Sequence, residues 1–461
     1  MQRKYLEKLS VKFSTFFILL IFTVVAAAQI KHFPVTTSRL QIAGQMEQSV
    51  NTSLLNKWYP QSMDTVYGGF LSTFTFDFKP VGSQDKFIVT QARHIWSTSK
   101  AALAFPKKKY YLACAKNGFN FLKDKMWDNV YGGFYNLVDR KGNNKSDTIA
   151  PKDAYGNAFA IYALAAYYNS SKDTAALALA KKTFLWLEDN SHDAFYKGYY
   201  QHLKRNGQHV IRDASIASTA EIGYKDQNSS IHLLEALTAL YKVWPIPLVK
   251  LRLQEMLYLI RDKITSNRGS LTLFFNPDWT PVSFRDSGEA AIIKHKNLDH
   301  ISFGHDVETA YLMEEAAEAL GKKDDVTTLS IGKKMVDHAL KNGWDAILGG
   351  FYDEGYYFKG RDKITILLAS KNWWAQAEGL NTLLIMADRY PTDTMQYFHK
   401  FALLWNYVQT YLIDADYGDW FEEGLDKEPE RRTGLKGHIW KGTYHTYRAL
   451  ANCIKRLRSG K

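Results

Sequence analysis

Five short segments hold the residues of this chain best suited to moving protons. They are Gln91-Ala92-Arg93-His94-Ile95-Trp96, Asn228-Ser229-Ser230-Ile231-His232, Gly304-His305-Asp306-Val307-Glu308, Asn372-Trp373-Trp374-Ala375-Gln376-Ala377-Glu378 and Trp440-Lys441-Gly442-Thr443-Tyr444-His445. Imidazole is the side chain whose ordinary titration spans neutral pH. Several imidazoles beside aromatic plates suit proton transfer on a sugar, because an aromatic face packs the apolar CH side of a pyranose. Arg93 and Trp96, Asn228 and His232, and Trp374 and Glu378 lie three or four residues apart, so each pair shares one face of a helix. Gly304 precedes a helical pattern and puts His305 in its first turn, where the positive helix end disfavours the imidazolium and keeps a neutral base. Glu308 can orient that ring or bind a hydroxyl, and His445 opens the last amphipathic pattern.

Each segment also has a plain structural reading. Arg93 can be a surface arginine stacked on a core tryptophan, His232 a satisfied core histidine, and Trp373-Trp374 part of an aromatic core. Two consecutive tryptophans cannot both face a core, however, and Glu378 follows on the face of Trp374. A di-iron carboxylate centre needs Glu-x-x-His twice, and that spacing is missing. The expectation is a site without metal or cofactor.

Residues so far apart need a scaffold that returns to one place repeatedly. A Gly-aromatic punctuation does return: Tyr67-Gly68-Gly69-Phe70, Tyr131-Gly132-Gly133-Phe134, Lys197-Gly198-Tyr199-Tyr200, Leu348-Gly349-Gly350-Phe351 and Tyr417-Gly418-Asp419-Trp420, with Arg268-Gly269-Ser270-Leu271 a poorer copy. The interval is about 64 to 80 residues and holds two helix-length patterns each time, the mark of a repeat or closed toroid. Phe159, Tyr162, Ala163, Ala166 and Tyr167 recur at helical spacing, as do Ile231, Leu234, Leu237, Leu240 and Tyr241. Ala- and aromatic-rich helices read as inner, and charged ones such as 248–263 as outer. The fold expected is all-α, an (α/α)6 barrel of six helical hairpins, with short β-hairpins around the Gly-Gly-Phe turns at one rim.

The chain as a whole narrows the function classes. Arg3, Lys4, Lys8 and Lys12 precede an apolar run from Phe13 to Ala28, and Ala26-Ala27-Ala28 is a small-residue cleavage site. Residues 1–28 therefore read as a signal peptide and 29–461 as one catalytic domain, exported to the periplasm; the alternative is an uncleaved N-terminal anchor. With the signal cleaved, no stable membrane insertion is expected. Cys114 and Cys453 allow one disulfide or two buried thiols. The net charge of +12 is spread among interleaved acidic residues rather than gathered in a stripe, which argues against nucleic acid as a partner. A monomer is expected.

Taken together, the five motifs resemble the N-acylglucosamine 2-epimerase superfamily, most closely its cellobiose 2-epimerase branch, which includes mannobiose 2-epimerases. The likeness runs from about Trp58 to the C terminus; Leu233-Leu234-Glu235-Ala236, Tyr241-Lys242-Val243-Trp244-Pro245 and Ile301-Ser302-Phe303 support it. The resemblance implies an (α/α)6 barrel acting on a reducing disaccharide. It implies that His305 and His445 are the acid/base pair, that Arg93 stabilises an enediolate, and that His232 assists ring opening or binds a hydroxyl. Asn228, Glu308, Trp374, Trp440 and Tyr155 match sugar-contacting positions, and Glu378 matches a carboxylate of the same site. Tyr311 departs from the branch, which commonly has tryptophan there, so it implies an altered stacking subsite or disaccharide preference. The neighbouring activities are aldose–ketose isomerisation and N-acylglucosamine epimerisation. Further off lie an inverting glycoside hydrolase using Glu308 and Glu378, and a sugar-binding protein without turnover.

Overall fold

Three of the six inner helices begin where a short polar side chain holds their first turn. Asp153 accepts from the backbone N–H of Gly156, Asp226 from Ser229 and Asn372 from Trp374, each satisfying a donor with no partner inside its own helix. Outer helices use the same device at Asp173 and Asp325, and one opens on Pro247, whose missing N–H costs nothing there. The computed structural model describes residues 38–459 apart from Pro60, so the segment read as a signal peptide lies outside the described residues.

Among the described residues are twelve helices of ten residues or more. They are α1 (Arg39–Gln48), α2 (Ile88–Ala104), α3 (Tyr110–Phe121), α4 (Ala154–Ser171), α5 (Thr174–Asn190), α6 (Gln227–Val243), α7 (Pro247–Leu259), α8 (Phe303–Ala319), α9 (Val326–Asn342), α10 (Trp373–Arg389), α11 (Tyr397–Tyr411) and α12 (Tyr444–Arg458). The even-numbered helices form an inner ring: α2 packs on α4, α4 on α6, α6 on α8, α8 on α10, α10 on α12, and α12 returns to α2. Each odd-numbered helix backs an inner one, and α1 backs α12, so the first helix closes the ring against the last. This is the (α/α)6 barrel. Inner α4 is buried from Ala154 to Ile161 and from Ala163 to Tyr167, as expected of a helix that is apolar on all sides. Arg458 makes a two-pronged contact to Glu47 at 2.6 Å across the seam. Cys114 and Cys453 are both buried free thiols. No helix among the described residues is long and apolar enough to cross a membrane.

At the rim the turns differ in detail from hairpins. Single bridges close them, such as Met63 with Phe70, Trp127 with Phe134 and Trp344 with Phe351. The two-residue strands instead lace successive repeats: Lys86–Phe87 (β1) pairs with Leu137–Val138 (β2), Lys152–Asp153 (β3) with His202–Leu203 (β4), and Lys225–Asp226 (β5) with Phe274–Phe275 (β6). Ile301–Ser302 (β7), Glu354–Tyr356 (β8) and Thr365–Leu368 (β9) make one three-stranded sheet. The first ladder stops at one bridge because the N–H of Ser62, next in line to pair with Leu71, donates to the Trp58 carbonyl at 2.8 Å instead. On its outward side Phe70 is held by Gln91 of α2, which accepts from its N–H and donates to its carbonyl, both at 2.8 Å. Gln376 does the same for Phe351. Gly69, at φ +69°, must be glycine twice over, since a Cβ there would lie 2.7 Å from Gln91 Oε1.

A buried lysine pins each good turn. Lys86 Nζ reaches Asp64 Oδ2 at 3.0 Å and the carbonyl of Gly68, while the other oxygen of Asp64 accepts from Val66 and Tyr67. Lys152–Asp128, Lys225–Asp193, Lys371–Asp345 and Lys436–Asp414 repeat the pairing, all with side chains nearly or wholly out of solvent. Burial alone would raise the Asp64 carboxyl, but hydrogen bonds from Arg140 and Lys86 hold it well below the usual range. Each of Lys86, Lys152 and Lys225 lies two residues before an inner helix, so the pin fixes the point from which that helix enters the ring. In the poorer turn at Arg268-Gly269, Ile301 stands where the lysine would be, and Asp306 instead accepts from the N–H of Leu271 at 2.8 Å.

Candidate active site

The N-terminal ends of all six inner helices face one cavity of about 300 Å³. Its lining includes Arg93 from α2, Tyr155 from α4, Asn228 and His232 from α6, His305 and Glu308 from α8, Trp374 from α10, and His445 from α12, with Trp440 from the loop before α12. A second cavity of about 240 Å³ adjoins it, sharing Tyr155, Asn228, His305 and Trp440 and adding Gln201, Glu221, Asp226 and Gln227 among others. Ten of the eleven positions singled out in the sequence converge here, Glu378 from directly behind His445 rather than on the cavity wall.

The three histidines are each held by Nδ1. His305 pairs with Ser302 Oγ at 2.9 Å, His445 with Glu378 Oε1 at 2.6 Å, and His232 with Glu235 Oε2 at 3.0 Å. Among the described residues none of their Nε2 atoms has a hydrogen-bond partner, so Nε2 is the nitrogen free to act. The Trp374 ring lies between two of them, 4.7 Å from the His305 centroid and 5.8 Å from that of His445. Gly304 makes this approach possible, because a Cβ there would sit 2.7 Å from the Trp374 ring. Burial pushes His305 down to about 3, with smaller contributions from the neighbouring His232, His300, His445 and Arg93. Burial followed by Arg93 and Arg448 takes His445 well below its ordinary value. Exclusion from water thus acts in the same direction as the helix end invoked from sequence for a neutral His305.

Arg93 has no carboxylate partner among the described residues. Its Nη1 donates to the Trp440 carbonyl and its Nη2 to the Tyr155 hydroxyl, both at 3.2 Å, and it rests 4.6 Å above the Phe159 ring. It is only 6% exposed, and its Nε lacks any partner. A guanidinium held this way offers its charge to whatever enters the cavity.

One expectation needs correction, and for Glu308 one of two alternatives is set aside. Tyr311 is 1% exposed and lies outside the cavity lining; its hydroxyl donates to Glu378 Oε2 at 2.7 Å. It braces a carboxylate rather than forming a stacking surface, because α8 turns that position towards α10. Glu308 does line the cavity, but it pairs with Arg448 Nη2 instead of orienting His305. Burial, then the charge of Glu378, pushes its carboxyl well up against the pull of Arg448. Trp440 stands at the mouth, 46% exposed, with its ring edge-on to Phe87. Sequence reasoning did not single out Ser302, Glu235, Tyr444 or Arg448. Glu235 stands three residues after His232 and Arg448 three after His445, so the shared helix face was the available signal. Ligand atoms of Glu308, Glu378 and His445 come within 4.8 Å of one another, as in a cation site, and Arg448 Nη2 contacts both carboxylates there.

The family model for N-acylglucosamine 2-epimerase matches residues 68–449, and the chain belongs to that family. It is therefore a carbohydrate epimerase, an isomerase. It is 27% identical to the cellobiose 2-epimerase of Bacteroides fragilis over 417 residues, covering 90% of this chain and 98% of the relative. Against the cellobiose 2-epimerase of Ruminococcus albus it is 29% identical over 418 residues, 89% of this chain and 98% of that one. The solved cellobiose 2-epimerase of Spirochaeta thermophila superposes with a TM-score of 0.76 at 27% identity, over 92% of this chain and 99% of the other.

Proposed function

We propose that the enzyme inverts C2 of the reducing-end residue of a β-1,4-linked disaccharide, with cellobiose and mannobiose the leading substrates. The observation that carries this reading is an uncompensated buried arginine beside two imidazoles whose centroids lie 4.7 and 5.8 Å from one tryptophan ring. A reducing sugar opens to its aldehyde, and conjugation with C1=O makes the C2 proton acidic. One of His305 and His445 removes it through Nε2, and the electron pair moves to the carbonyl oxygen to give a cis-enediolate. Arg93 stabilises that oxyanion, and the second histidine, which must enter the step protonated at Nε2, gives that proton to C2 from the other face; the two rings leave with their protonation exchanged and are reset by solvent. Returning it to C1 would yield a ketose instead. Trp374, Trp440, Asn228 and Tyr155 hold the sugar, and His232 binds a hydroxyl or assists ring opening. The names of the relatives and the convergence of these residues support the reading.

NMR of cellobiose, mannobiose and N-acetylglucosamine with the enzyme in D2O tests it. Deuterium should enter C2 of the disaccharides with formation of the C2 epimer. His305→Asn and His445→Asn should each lower turnover by roughly 10²–10⁴-fold. Epimerisation retained in both variants sinks the assignment, and ketose as the sole product points to the isomerase. We also propose export, on the basic and apolar residues before Gln29; a periplasmic protein beginning near residue 29 by mass spectrometry is the expected finding.

A further inference from the structure

Behind the cavity wall two arrangements of one kind lie side by side. Tyr311 donates to Glu378, which holds His445 Nδ1; Tyr444 donates to Glu235 Oε1 at 2.6 Å, and Glu235 holds His232 Nδ1. Arg448 spans them. Its Nη1 donates to Glu235 Oε1 and the Tyr444 hydroxyl, and its Nη2 donates to Glu308 Oε1 and forms an ion pair with Glu378 Oε1 at 2.7 Å. The arginine side chain is 3% exposed, and the three carboxylates are as deeply covered.

An ionised carboxylate can only accept, so it holds the histidine beside it as the Nδ1–H tautomer. Deprived of a cation, two neighbouring buried carboxyls would share a proton, and a protonated carboxyl donates to Nδ1 and sends the ring proton to Nε2, on the cavity side. Burial pushes Glu378 up, and Arg448 is the foremost group opposing it; at Glu235 burial is outweighed, with Arg448 again foremost, and the carboxyl falls to about 2. Glu308 touches no histidine, so it can carry the surplus proton without disturbing a tautomer.

We infer that Arg448 is a positioning residue whose planar fork ties His232 and His445 together, fixing both as Nδ1–H tautomers with Nε2 open to the cavity. The inference deepens the epimerase reading in its kinetic arm; its spectroscopic arm is independent of it. The test is ¹⁵N–¹H NMR of the full chain labelled at histidine, with the two rings assigned by their loss in His232→Asn and His445→Asn. The wild type should show the Nδ1–H pattern at both. In Arg448→Met both rings should lose it, and kcat should fall roughly tenfold or more with KM within about twofold, short of the ~10²–10⁴ of deleting a base. Should that variant fail to fold, Arg448→Lys keeps the charge but not the fork, and at least one ring should change tautomer. Wild-type patterns at both rings in a folded Arg448 variant overturn the inference. A wild type without C2 exchange would remove the proposed reaction and leave the NMR arm to be judged on its own.

Discussion

Behind His305 stands a hydroxyl, and behind His445 a carboxylate. The difference bears on what each ring can do, since a charge arriving on Nε2 is compensated at His445 and not at His305. Hydrogen bonds to charged groups are worth about 1.5–3 kcal/mol and neutral ones about 0.5–1.5. Glu378→Gln should therefore lower kcat by roughly 10- to 100-fold and Ser302→Ala by only about 2- to 10-fold. Steady-state kinetics on one disaccharide decides it, and equal losses would mean that Glu378 does no more than hold a ring in place. The residues lining the cavity were legible in the sequence because motif spacing on helices brings out their shared faces. Tyr311, Glu235 and Arg448 were not legible as a set. The contacts that join them across the chain span 67 to 213 residues, and only the spacing of Glu235 from His232 and of Arg448 from His445 gave a local sign.

The elements that carry these residues are fixed at the rim, and there the reading of the chain was divided. The Gly-aromatic period was plain, because glycine adopts the positive φ of these turns most readily, although Lys197 and Asp419 take it in two of the copies. The lysines that pin those turns looked like scattered surface charge, since each stands 22 to 32 residues from its aspartate. Lys225 holds the entry to α6, the helix of Asn228 and His232, and its removal leaves Asp193 buried without its cation. Breaking one side of such a pair costs about 3–5 kcal/mol. Lys225→Met should lower the urea-derived stability by that order, whereas Lys204→Met, at an exposed position, should stay within about 0.5 kcal/mol. Equal effects would show that the buried pairing adds nothing specific.

For the molecule as a whole, pH acts through carboxyls that the closed barrel keeps from water. Glu423 accepts from Asn372 Nδ2 at 3.2 Å, while its other oxygen has no partner. Burial, then the charges of Asp353, Glu428 and Glu422, lifts its carboxyl to about 9. A folded value above the unfolded one of about 4.3 means that the native state holds a proton the unfolded chain has released. Its contribution is therefore full at acid pH and is lost as pH rises towards 9. Urea midpoints taken from pH 6 to pH 9 should fall, and Glu423→Gln should flatten the slope; an unchanged slope would place the titration elsewhere.

The seam between α1 and α12 bears on how the molecule comes to exist. Contacts such as Glu47 with Arg458 join points 411 residues apart, and contacts of that span are slow to find. The entropy of closing a loop grows only as the logarithm of its length, so the seam burdens the rate of folding far more than the final stability. Because α12 brings both His445 and Arg448, the proposed proton transfer has to wait for the ring to close. Activity regained during refolding should thus lag behind helix formation, reporting the moment when the circle shuts.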